Sequence, residues 1–72
     1  MIKFSRGENL GGKASYMVHN GTNFSGLIRY FNAKDVAQCG DHCSVGWAFL
    51  NSNGRTDFFD TLAEAKDEAF KL

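Results

Sequence analysis

The stretch Val45-Gly46-Trp47-Ala48-Phe49-Leu50-Asn51-Ser52-Asn53-Gly54-Arg55-Thr56-Asp57-Phe58-Phe59-Asp60-Thr61-Leu62-Ala63-Glu64-Ala65-Lys66 decides the fold. Val45, Trp47 and Phe49 alternate with Gly46, Ala48 and Leu50, so a strand here has one strongly apolar face. Asn53-Gly54 tolerates the positive φ angles of a two-residue hairpin turn, which is expected at that point. Arg55 to Phe59 then returns as a short strand. Thr61, with Glu64 in capping-box register, starts a helix. Leu62, Ala65, Ala69 and Leu72 fall on one stripe of it, with Phe70 on the flank.

Working outward, Lys13 to His19 sets Ala14, Tyr16 and Val18 against Lys13, Ser15, Met17 and His19, a half-buried strand. Asn20-Gly21-Thr22-Asn23 is a turn, and Phe24 to Phe31 comes back as the second arm of a hairpin. That arm is apolar on both sides, with Phe24, Ile28 and Tyr30 on one and Leu27 and Phe31 sharing the other with Arg29. Such a strand is either central and covered twice or meets a partner with its outer face. Asn32 and Asp35 are placed to cap a short helix that Gly40 ends. Met1 to Ser5 is expected as a short strand, and Arg6 to Gly12 as a glycine-rich loop. That loop lacks the Lys-Ser/Thr end of a phosphate cradle. Strand, Asn-Gly turn, strand, N-cap and helix therefore occur twice in succession, a repetition of pattern without a string of identities. The expected fold is α+β: a single domain over residues 1–72, with a small antiparallel sheet of four to five strands. Its order is ββ-α-ββ-α, with two helices on one face.

A chain of 72 residues is at the small end of what folds alone, and its 43% hydrophobic composition with seven Phe supplies a core without a disulfide framework. The first segment, Met1 to Arg6, lacks the apolar run of a secretory leader. Two cysteines are too few for a stapled secreted scaffold. A cytoplasmic location and no membrane span are the expectation. The formal net charge is zero, yet residues 1–34 carry five cations and one acid (+4), and residues 35–72 three cations and seven acids (−4). Whether this makes a two-sided molecule depends on how the strands interleave.

Three sets of residues bear on function. Cys39-Gly40-Asp41-His42-Cys43, with His19, supplies a candidate zinc set of His19, Cys39, His42 and Cys43. Three ligands crowd one segment, however, unlike the paired knuckles of structural zinc sites. Two ordinary thiols are the favoured reading, ahead of zinc and of a Cys39–Cys43 disulfide. No nucleophile–base–orienter set assembles from two histidines, so catalysis is not expected and no cofactor is called for. Lys3, Arg6, Lys13, Arg29 and Tyr30 form a candidate platform for single-stranded nucleic acid, bases stacking on rings while cations meet phosphates. Overall neutrality weighs against it. Asp60, Glu64, Asp67 and Glu68 line the outer side of the last helix and are the candidate partner-binding face, set against the plainer account of a solvated acidic stripe.

The ending from Trp47 through Asn53-Gly54 to Lys66 is similar in style to strand-strand-helix modules of many bacterial and phage proteins. In its small size, neutrality, aromatic content and want of a catalytic set, the chain also resembles the inhibitors that phages encode against host defences, anti-CRISPR proteins among them. The likeness is of type and not of motif. It implies a non-enzymatic protein, monomer or homodimer, that occupies a surface of a larger protein or nucleoprotein. A nucleic-acid-binding module and a zinc-stapled structural domain are the alternatives.

Overall fold

A computed structural model describes all 72 residues. Five strands, β1 (Ile2–Leu10), β2 (Lys13–Asn20), β3 (Asn23–Phe31), β4 (Gly46–Asn51) and β5 (Thr56–Phe59), form one antiparallel sheet in sequence order. Helix α1 (Ala33–Cys39) follows β3, and α2 (Leu62–Ala69) follows β5. The α+β class, the antiparallel sheet and the two helices are as the sequence predicts.

The first strand is longer than the sequence suggests. Gly11 and Gly12, with φ of 64° and 87°, make a tight turn between the paired Leu10 and Lys13. Two successive positive φ angles define the hairpin turn whose twist matches its strands. Arg6 to Gly12 is therefore no loop but the second half of β1 and its turn. A one-residue bulge between Arg6 and Asn9 hides this from the two-residue period. Ser15, buried on β2, donates its hydroxyl to the Glu8 carbonyl in that bulge at 2.6 Å. Gly7 leaves the room, since a Cβ there would stand 2.9 Å from Ser15 Oγ.

The β4–β5 connection also departs from expectation. Gly54 alone has positive φ, at 96°; the Gly54 N–H donates to the Asn51 carbonyl and the Asn51 N–H to the Arg55 carbonyl. The loop thus has three residues, Ser52 to Gly54, with glycine at the left-handed position, the next commonest hairpin after the two-residue form.

One face of the sheet is covered by α2. Val18, Ile28, Phe49, Ala65 and Ala69 form the buried core, and Ile2, Phe4, Tyr16, Trp47, Phe59 and Leu62 pack around it. Alanines at the two contact positions let α2 lie close on the sheet, so Phe49, only 2% exposed, fills the space between. Thr61 caps α2 by accepting from the Glu64 N–H at 3.2 Å. Lys66 reaches across, its ammonium 4.6 Å from the Tyr16 ring centre and 5.2 Å from that of Phe4.

Helix α1 has a smaller role. It buries no residue and packs chiefly against β3. Its N-terminus is well made: Asn32 Oδ1 accepts from the Asp35 N–H at 2.9 Å, and Asp35 Oδ2 accepts from the Asn32 N–H at 3.2 Å. The same Asp35 oxygen receives Arg29 Nη2 at 3.0 Å. The repeated strand-strand-helix pattern is thus present in element order, but only its second helix adds to the core.

The Cys39 and Cys43 sulfurs are joined in a disulfide, their Cα atoms 6.0 Å apart. This corrects the expectation of two thiols. Gly40, at φ 98°, ends α1 and turns the chain back so that the next cysteine meets the last helical one.

Candidate protein-docking face

Because cross-strand partners share a face, the register fixes the side of the sheet that α2 leaves open. Ser5, Met17, Leu27, Leu50 and Thr56 pair in one straight row across all five strands. Lys3, His19 and Phe24 make the neighbouring row toward the β2–β3 turn. On the other side of the central row come Arg29, Ala48 and Phe58, then Phe31 opposite Gly46.

Met17, Leu27 and Leu50 give this face an apolar centre. Phe24 lies at one end, 55% exposed and edge-on to His19 at 5.9 Å between ring centres. Phe31 and Phe58 lie at the other, edge-on at 5.4 Å. Arg29 stacks over Phe31, 4.2 Å from the ring centre, while paired to Asp35. No residue in these rows is acidic; the charged members are Lys3 and Arg29.

Phe24 belongs to this face because of an irregularity. Between the pairs Val18–Gly26 and His19–Phe24, β3 carries one residue more than β2. That bulge moves Phe24 to the side opposite Ile28 and Tyr30, where strict alternation would have left it. Gly26 accompanies the bulge, and a Cβ there would come within 2.6 Å of both the Leu50 carbonyl oxygen and Phe49 Cε1. Sequence alternation gave no sign of the bulge; Gly26 itself was the available signal.

The candidate acidic face is assembled as the helix periodicity requires, on the side of α2 away from the core. Asp60, Glu64 and Asp67 are exposed and Glu68 is half-buried. Two of the four are engaged locally: Glu64 Oε1 accepts from the Thr61 hydroxyl at 3.0 Å, and Glu68 pairs with Lys71 at 3.2 Å.

The candidate nucleic-acid set is not brought together. Lys3 and Arg29 share the open face, but Arg6 is in register with Tyr16, and Tyr30 sits edge-on to Trp47 on the covered side. Lys13 places its ammonium 5.1 Å from the Tyr30 ring centre. Nor does the candidate zinc set converge. His19 is on β2 against Phe24, the two sulfurs are bonded to each other, and no three His, Cys, Asp or Glu side chains cluster as metal ligands.

One concavity lies between the β4–β5 turn and the end of α2, with Phe49, Asn51, Arg55, Asp57, Glu68 and Lys71 among its walls. Its volume of about 130 Å³ compares with about 300–1,000 Å³ for small-molecule sites. Its cations are already paired, Arg55 with Asp57 at 3.1 Å and Lys71 with Glu68 at 3.2 Å. Neither a protein-family model, nor a curated protein, nor a solved structure matches the chain. No helix is long and apolar enough to cross a membrane.

Proposed function

We propose that this chain is a non-enzymatic binding protein that lays the open face of its sheet on the surface of a larger protein or nucleoprotein and acts by covering it. The observation that carries the reading is the Met17–Leu27–Leu50 row, flanked by aromatic rings at both ends and without a carboxylate among its paired residues. Depletion of charge over an apolar centre, with Met, Arg and aromatic rings on the same face, is the compositional signal of a protein interface. Lys3, the face's cation without an ion-pair partner, favours a counterpart surface that is apolar and edged by carboxylates. The acidic side of α2 points the other way and stays in water in such a complex. A cytoplasmic site of action and blockade of a host-defence protein, as the resemblance to phage inhibitors implies, are part of the same proposal.

The experiment uses two variants of the tagged chain as bait in a cell extract, each first shown to melt cooperatively. Leu27→Lys with Leu50→Lys disrupts the open face. Asp60→Lys, Glu64→Lys, Asp67→Lys and Glu68→Lys together reverse the helix face. The expected result is a protein retained by the natural chain and by the helix variant, and lost from the sheet variant. Retention by the sheet variant with loss from the helix variant would transfer the contact to α2. A natural chain that retains nothing would end the reading.

A further inference from the structure

We propose that the Cys39–Cys43 pair is a reversible thiol–disulfide modification site that sets the order of the segment from Val36 to Val45, its reagent being a small-molecule or protein dithiol. The two ends of α1 are held by different means. At the N-terminus, Asn32 and Asp35 cap each other and Arg29 anchors Asp35 to β3. The last turn holds no basic side chain, and its cap is the Gly40 N–H donating to the Val36 carbonyl at 3.1 Å. Beyond it, Cys43 N–H meets the Gly40 carbonyl at a long 3.5 Å. The covalent link is therefore the main tether of this end. A helix of seven residues is too short to persist on its own.

Accessibility and location favour reversibility. Cys39 is exposed and Cys43 half-buried, and no residue between Asn32 and Val45 belongs to the core cluster. Both redox states are thus compatible with the same core. In the reductive step a thiolate of the dithiol attacks the exposed Cys39 sulfur, and the Cys39–Cys43 bond breaks. Cys43 leaves as a thiolate and takes a proton. The second thiol of the reagent then attacks the mixed disulfide, releasing Cys39 as a thiol, and the reagent ends as its own disulfide. Two electrons and two protons pass to the protein. The inference does not depend on the docking face.

The test compares the oxidised chain, the chain in excess dithiothreitol, and Cys39→Ser/Cys43→Ser, by iodoacetamide labelling and by amide exchange in nuclear magnetic resonance. After treatment with oxidised glutathione no cysteine should be alkylated, and after dithiothreitol both should be. Exchange at the Gly40 amide should quicken about 30-fold on reduction, the chain entropy restored when a loop of about five residues is opened. The amides of Val18, Ile28 and Phe49 should not change, and the double-serine variant should match the reduced chain whether or not reductant is present. Thiols still alkylated after oxidation would overturn the proposal, as would unchanged exchange at Gly40. Reduction that unfolds the sheet would also overturn it, by making the link a structural staple.

Discussion

Adding one methyl group at Gly26 should destabilise this protein more than its size suggests. An ideal Cβ there lies 2.6 Å from the Leu50 carbonyl oxygen, 2.6 Å from Phe49 Cε1 and 3.3 Å from Asn51 Cα. Unstrained carbon contacts stand at about 3.5–4.0 Å, so both nearest atoms must withdraw by roughly 1 Å. The carbonyl is held in the β3–β4 ladder, and the Phe49 ring is 2% exposed beneath α2. Neither has space to move into. Overpacking of this kind costs about 1–3 kcal/mol, and two simultaneous clashes put Gly26→Ala at the upper end, about 3 kcal/mol. A core of this size supplies about 3–5 kcal/mol in all, so the variant should be close to its unfolding midpoint without denaturant. Gly12→Ala is the control. Gly12 has φ of 87° and nothing within 4 Å of an added Cβ, which leaves only the left-handed backbone penalty of about 1–2 kcal/mol. Urea unfolding followed by Trp47 fluorescence reports both, since Trp47 is half-buried against Tyr30. Adding Phe49→Leu to Gly26→Ala removes the ring clash and leaves the carbonyl clash, so it should recover only part of the loss beyond the cost of Phe49→Leu alone. Should Gly26→Ala lose no more stability than Gly12→Ala, the close approach of β3 to β4 at Gly26 is wrong.

Ser15→Ala should lower stability by about 1–2 kcal/mol, since it removes the hydroxyl that satisfies the Glu8 carbonyl in the β1 bulge; a denaturation midpoint equal to the natural chain's would show that water replaces the bond. A short single-stranded oligonucleotide should give no salt-dependent shift with this chain, because Lys3 and Arg29 are separated by the sheet from Arg6 and Tyr30. A clear band shift at low salt, abolished by Lys3→Ala, would restore the nucleic-acid reading.

Much of the fold was legible. Local rules were enough for α1, whose Asn32 and Asp35 make the reciprocal cap and whose Gly40 ends it, and for the alternation of β2 and β4. The split of Tyr16, Val18, Trp47 and Phe49 from Met17, His19, Ala48 and Leu50 between two faces was legible for the same reason. The second half of β1 was not, because Gly7, Glu8 and Asn9 have poor strand propensity and a bulge breaks their period. The acidic row on α2 could be read from spacing alone. The docking face could be read only in part. Its central row follows from alternation, but Phe24 reaches it through a bulge that pairing with β2 creates. The nucleic-acid set failed on a point that period two could have supplied, since Arg29 and Tyr30 are consecutive and a strand sends them to opposite faces.

By itself the sequence determined the class, the number of helices, their N-caps and the apolar faces of β2 and β4, since these depend on neighbours within a few residues. Tertiary structure decided the strand order, and with it that the cations Lys3 and Arg29 stand on one face while the acids of α2 stand on the other. It also decided which helix reaches the core. Those outcomes depend on where distant segments come to rest against one another. A charge pattern along the chain is compatible with many such arrangements, and packing under α2 selects one.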